Sequence, residues 1–328
     1  MARLEPFSDE QMRTLVNLRQ RYEVWRDAER ARRAIPYDLR RKKVGEYEYL
    51  YEIHDRSGNG TSLGRWDGEA ERRFEAYRAE KTALNQRLER SRAARDEGAR
   101  LARALRTPML ASAAGPILRE ADVRGLLDGS LLVVGTNALL AYACEAVAFL
   151  GLADETEDFD LAWAATELPE DAPVWGMLKA VDSTFTINTE RTFQARNAAA
   201  YEVELLIAPS RAATLARTDK PRPIPLPEQE WLLLGRPVDQ VVPCRDATVV
   251  RMVAPDPRWF ALQKLWLAEQ DKRNPFKRRK DRAQGLGVLD AVAEAMPHYP
   301  LDAEFVAAIP SELTGMWQGW REQHEARR

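Results

Sequence analysis

"SLLVVGTNALLAYACEAVAFLGLADETEDFDLAW", residues 130–163, joins an apolar run ending at Gly135, an alanine-rich run and an acidic stretch that passes straight into apolar sequence. The first run predicts a buried strand, and the second a helix with Glu145 as its only charge and Gly151 as its stop. Strand, glycine turn and buried helix make one α/β unit. In a strand, residues i and i+2 share a face with Cα atoms roughly 6.5 Å apart. Over "TEDFDLAW" this projects Asp158 and Asp160 together, while Phe159, Leu161 and Trp163 turn into a core. Glu155 then lies outside the strand and Glu157 faces away, so both read as solvated edge residues.

Two carboxylates at that spacing can reach a pair of divalent cations about 4 Å apart, an arrangement that activates an attacking oxygen and steadies a leaving phosphate. Oxygen-only ligands select Mg²⁺ or Mn²⁺. Short acidic clusters also occur as solvated loops, so the surroundings decide. The backbone N–H groups after Gly135, with the Thr136 hydroxyl, read either as a phosphate cradle or as an ordinary strand-to-helix turn. A third acidic group comes from "YEVELLIA", residues 201–208, where Tyr201, Val203, Leu205 and Ile207 alternate with Glu202 and Glu204. Either glutamate fits the alternation; Glu204 sits deeper in the apolar run and is the costlier one to leave unpaired.

Composition bounds the classes available. With 328 residues, 45% hydrophobic and 30% charged, the chain is long enough for two globular domains. It has no basic start joined to an apolar h-region and no run of about 18 apolar residues, so a cytoplasmic protein without a membrane span is expected. Cys144 and Cys244 lie far apart, which fits buried thiols rather than a disulfide framework. His54, His298 and His324 have no ligand spacing, which argues against a zinc site. The net charge of −2 conceals an asymmetry, because residues 1–106 are net +6 and the remainder net −8. A uniform nucleic-acid-binding surface is thereby excluded, though not a local basic patch.

Three zones follow. Residues 1–106 predict a helical arm with Ser8 as N-cap, a tyrosine-rich strand (Tyr47, Tyr49, Tyr51) entering a hairpin, and a charged helix of roughly 40 residues. The narrow apolar seam of that helix, Phe74, Tyr77, Leu84 and Leu88, is interrupted by Lys81 and needs a partner helix or the body to pack on; a homodimer through the N-terminal helix is one such arrangement. Residues 107–210 predict a mixed β-sheet with flanking helices, with strand candidates at "STFTIN", "TFQAR" and "YEVELLIA". Residues 211–328 predict a strand pair around "DQVVPCRDATVVRMVAP" and then helices, with Asp256 as N-cap and Pro257 at the first helical position. The fold class is α+β or α/β.

Glycine turn, helix, D-x-D strand and later acidic strand, in that order, resemble the nucleotidyltransferase superfamily with its DNA polymerase β-like fold. "LVVGTNALLAY", "TEDFDLAW", "FQARNAAAYEVELLIAP", "MVAPDPRWFALQKLWLAEQDKRNPFKRRKDRAQ" and "EYEYLYEIHDRSGNGTSLG" look like the blocks of a bacterial family of nucleotidyltransferase-fold proteins. The resemblance implies that Gly135, Thr136 and Asn137 take the nucleotide phosphates, that Asp158 and Asp160 hold the metals, and that Glu204 is the third catalytic carboxylate. Thr136 stands where serine or glycine is common, Phe159 where an aliphatic residue is, and Glu204 where aspartate is usual. Lys264 and Lys280-Asp281 resemble the lysine motifs of nucleotidyltransferase toxins related to abortive-infection proteins. A lysine there would balance triphosphate charge.

Other features stay open between two readings. Arg196 and Asn197 either touch the nucleotide or form a polar hairpin turn. "KRNPFKRRKDR", residues 272–282, is either a solvated helix face or a holder of RNA or triphosphate. The three tyrosines are either a sheet face against a core or a stacking platform. Trp163, Trp259, Trp266 and Cys144 read as core packing. The expected function is Mg²⁺-dependent transfer of a nucleoside monophosphate from an NTP to an acceptor hydroxyl, with RNA, tRNA above all, a protein or a small molecule as acceptor. The rival is a catalytically inactive nucleotidyltransferase-fold module, or a toxin–antitoxin component, acting by binding RNA or protein.

Overall fold

The computed structural model describes residues 4–153, 158–167, 173–215 and 218–327, and Glu155 and Glu157 fall outside them. The protein is mixed helix and sheet, and no described helix is long and apolar enough to cross a membrane. It divides into two compact units, Met1–Arg19 with Ala99–Arg328, and Gln20–Gly98. The composition change near residue 106 is not where the chain divides: the divisions fall inside two long helices, α1 (Asp9–Ala34) and α2 (Gly68–Ala104).

A two-residue strand β1 (Glu5–Pro6) precedes α1. Ser8 caps that helix reciprocally with Gln11: Ser8 Oγ accepts from the Gln11 backbone N–H at 3.2 Å, and Gln11 Oε1 accepts from the Ser8 N–H at 2.8 Å. In the Gln20–Gly98 unit, β2 (Asp38–Val44), β3 (Tyr47–Ile53) and β4 (Gly60–Arg65) form an antiparallel three-stranded sheet, one strand more than the expected hairpin. One buried cluster joins Leu39 and Leu50 of the sheet to Tyr77 of α2, with Phe74 and Trp66 packed on it. Two of the four seam residues, Phe74 and Tyr77, thus pack here. The tyrosines have not become core: Tyr47 is half exposed under the Arg65 guanidinium, and the buried residues of β3 are Leu50 and Ile53. Lys81, which breaks the seam, donates to the Tyr37 carbonyl at 2.7 Å and pairs with Asp38 at 3.0 Å.

The larger unit is built on a five-stranded sheet. After α3 (Ala114–Val123) come β5 (Leu131–Val133), a tight 3₁₀ turn over Gly135–Ala138 and the short helix α4 (Leu139–Glu145). The expected helix to Gly151 is cut short at Glu145. Val147 adopts a φ of +52°, and β6 (Ala148–Phe149) pairs antiparallel with β1. The Phe7 N–H donates to the Val147 carbonyl at 2.9 Å, and the Phe7 ring meets Phe149 edge-on at 4.9 Å. Tertiary burial here outweighs the helix propensity of the alanine run. Next come β7 (Asp158–Trp163), α5 (Pro173–Val181), β8 (Thr186–Ile187), β9 (Gln194–Arg196) and β10 (Glu202–Ile207). The sheet order is β5-β7-β10-β9-β8, in which only the β7–β10 pair is parallel.

A second antiparallel pair, β11 (Val238–Pro243) and β12 (Val249–Ala254), packs against α3 and α4. The expected start of α6 (Pro257–Glu269) is there: Asp256 Oδ1 accepts from the Arg258 N–H at 3.0 Å, with Pro257 at the first helical position. The long helix α7 (Pro275–Ala295) lies on α6, followed by α8 (Ala303–Ala307) and α9 (Ser311–Glu325).

Candidate active site

Strands β7 and β10 run in parallel register with Asp158 opposite Glu202 and Asp160 opposite Glu204. Phe159, Leu161, Val203 and Leu205 are fully buried on one face, so the four carboxylates share the other. Adjacent strands stand only about 4.8 Å apart, which crowds like charges. On the far side of β10, Gln194 lies opposite Glu204 and Arg196 opposite Glu202. Gln194 Nε2 donates to Glu202 at 2.7 Å and to Glu204 at 3.1 Å, and its own oxygen accepts from Asn188 Nδ2 at 2.6 Å. Arg196 forms a close ion pair with Glu202. A cation already answers Glu202, whereas Glu204 has only a share of an amide. That difference separates the two glutamates, which strand alternation alone leaves equivalent.

The turn after β5 is locked onto the aspartate strand. The Val134 N–H donates to the Asp160 carbonyl at 3.0 Å, and Asn137 Nδ2 donates to the Asp158 carbonyl at 3.2 Å. Gly135 has a φ of +64°, and a Cβ there would overlap the Asp160 carboxylate, with its Cγ only 3.0 Å away. Only glycine meets both conditions. Thr136 is buried, and its hydroxyl accepts a long contact from Gln284 Nε2 at 3.4 Å.

These groups open on a cavity of about 270 Å³. Its walls take Gly135, Thr136, Asp158, Asp160 and Glu204 from the sheet side, and Lys264, Arg273, Lys277, Lys280 and Asp281 from the helices. Asp281 is fully buried between two cations: Lys264 Nζ donates to Oδ1 at 2.8 Å and Arg273 Nε to Oδ2 at 2.9 Å. Burial raises the Asp160 carboxyl above the usual carboxylate range; Lys264 opposes this and the charge of Asp158 adds to it. Glu204 is raised by burial and then by Asp160 and Asp158. Burial also lowers the Lys264 ammonium, against the pull of Asp281.

Of the residues singled out in the sequence, eight line this cavity together: Gly135, Thr136, Asp158, Asp160, Glu204, Lys264, Lys280 and Asp281. Asn137 and Arg196 do not line it, because the first is spent on the Asp158 carbonyl and the second on Glu202. Asn197 holds its own turn, its Oδ1 accepting from the N–H groups of Ala199 at 3.0 Å and Tyr201 at 2.9 Å. Arg273, Lys277, Gln229 and Gln263 were not individually legible, yet all four line the cavity. A helical reading of the basic run would have found part of this set, since positions 277, 280, 281 and 284 share one face of α7. Among the described residues, no three His, Cys, Asp or Glu side chains stand arranged to enclose a metal ion.

The family model described as Nucleotidyltransferase matches residues 112–309, more than half of the chain and all of the walls just named. The chain belongs to this family. Comparison with curated proteins and with solved structures gives no match.

Proposed function

We propose that the protein transfers a nucleoside monophosphate from an NTP to an acceptor hydroxyl and releases pyrophosphate. The observation that carries this reading is the β7–β10 register, which sets Asp160 beside Glu204 directly against the Gly135 turn in a chain of nucleotidyltransferase ancestry. The donor set suits Mg²⁺ or Mn²⁺, being all oxygen and anionic; burial first, and then the neighbouring carboxylates, raise Asp160 and Glu204. Asp158, Asp160 and Glu204 do not by themselves enclose an ion, so only with oxygens of the bound nucleotide completing the set would they hold such cations. When bound, they supply charge neutralisation and polarisation of the α-phosphate.

The protein's own groups do the rest. Gly135 and Thr136 receive the β- and γ-phosphates, and Lys264, oriented by Asp281, balances charge that builds on the departing pyrophosphate. The acceptor oxygen forms the new bond to the α-phosphorus as the α–β bridging bond breaks, and Glu204 takes the hydroxyl proton. A nucleic-acid acceptor is supported by the helix that frames the cavity: Lys277 and Lys280 line it, and the neighbouring Phe276 is 88% exposed, an apolar ring with nothing over it in a basic setting.

The test is incubation of wild type, Asp158→Asn and Asp160→Asn with each labelled NTP, Mg²⁺ and separate pools of RNA, protein and metabolites. Label should pass to one pool with wild type only. Equal labelling by the aspartate variants would end this reading.

A further inference from the structure

The cavity lining is of two chemical kinds. The carboxylates, Lys264 and the Gly135 turn are polar and charged. Phe193, Leu206, Leu226 and Leu267 are apolar, each only partly buried. Strand alternation explains why they adjoin, since Leu206 is the next residue after Glu204 on the same face of β10. The Leu226 N–H donates to the Ile207 carbonyl at 3.0 Å, which brings the Leu226 segment alongside that strand.

The lining also includes one buried polar side chain with an unanswered atom. Gln229 lines the cavity at 5% exposure, and its Oε1 has no hydrogen-bond partner. A buried amide oxygen without a donor is costly, of the order of 1–3 kcal/mol, and is retained where a ligand completes it. Apolar lining side chains with an unanswered amide suit a flat heterocycle carrying N–H groups on its edge.

We propose that Gln229 reads the nucleobase: the base inserts between Phe193 and the leucines, and an N–H on its edge donates to Gln229 Oε1. This rests on the proposed nucleotidyl transfer and adds to it a side chain that contacts the base. The triphosphate and the base then share one cavity.

Binding by the full chain, read as the shift in melting temperature with Mg²⁺, separates phosphate recognition from base recognition. The probes are inorganic tripolyphosphate and the four NTPs. Wild type should be stabilised by tripolyphosphate, and further by at least one NTP. Gln229→Leu should keep the tripolyphosphate shift but lose the extra shift of that NTP, with its affinity down about tenfold. Gln229→Glu, which keeps an acceptor at the same reach, should retain part of it. The proposal is overturned if Gln229→Leu keeps the NTP excess, or if no NTP exceeds tripolyphosphate in wild type. Absence of any response to tripolyphosphate and NTPs alike would instead remove the nucleotidyl-transfer reading, and this proposal with it. A Gln229→Leu chain that melts like wild type without ligand shows that a lost excess is not a folding defect.

Discussion

The Asp160 carboxylate occupies the space that a side chain on Gly135 would need. Glycine and aspartate are therefore one feature, in which the turn that would face the phosphates is shaped to admit the carboxylate. Gly135→Ala adds a methyl group against that carboxylate at a φ of +64°. It should destabilise the chain by about 1–3 kcal/mol, measured as a shift in urea midpoint at constant slope. Displacing Asp160 should also lower nucleotide transfer by about 100-fold. An alanine variant with wild-type turnover would show that the close approach has no part in the reaction.

Asp158→Asn and Asp160→Asn should each cut NTP turnover by about 100-fold or more while leaving the fold intact. For Asp160 the stability should even rise. Its carboxyl is raised in the folded chain, first by burial, so the folded state binds that proton more tightly than the unfolded state does. The cost of ionising it is fully present above the raised value and disappears as pH falls through that value toward the ordinary carboxylate range. With chelator present, Asp160→Asn should therefore melt above wild type at pH 7, and the margin should close by pH 4. A margin that stayed constant across this range would refute the assignment.

Lys264 and Asp281 test the support behind the site. Removing the ammonium by Lys264→Met leaves Arg273 as the cation contacting a fully buried Asp281. The expected loss is about 3–5 kcal/mol, read by chemical denaturation. Asp281→Asn should cost a similar amount. The double variant should lose less than the sum of the two, because each single change strands the other group.

Phe276→Ala removes an exposed ring and no packing. The unliganded melting temperature and NTP binding should not change. If the acceptor is RNA, its binding should weaken by about 1–3 kcal/mol, measured as the acceptor KM across a salt series. An unchanged KM for an RNA acceptor would remove the ring from the acceptor path.

Local signals were the legible part of this structure. Ser8 with Gln11, and Asp256 with Pro257, mark helix starts that the structure reproduces, because a cap is settled within four residues of chain. The D-x-D face was legible for the same reason, as alternation is a property of the strand itself. The end of α4 was not, since nothing in "CEAVAFLG" announces a break and the strand that captures Ala148–Phe149 comes from the far end of the unit. Glu204 was favoured from its depth in the apolar run, but the different partners of Glu202 and Glu204 were not legible, since Arg196 and Gln194 belong to a neighbouring strand whose pairing no local pattern encodes. Gln229 gave no signal, because a single glutamine in a proline-rich turn looks like any other polar residue.

The parallel pairing of β7 with β10 also bears on how the chain avoids misassembly. Sliding β10 by one residue would turn Val203 and Leu205 toward the acidic face and drive Glu202 and Glu204 into the core occupied by Phe159 and Leu161. The mispaired sheet would bury two carboxylates beside aromatic and aliphatic side chains, a state too costly to populate. The pattern that assembles the site thus also works against a one-residue slip during folding.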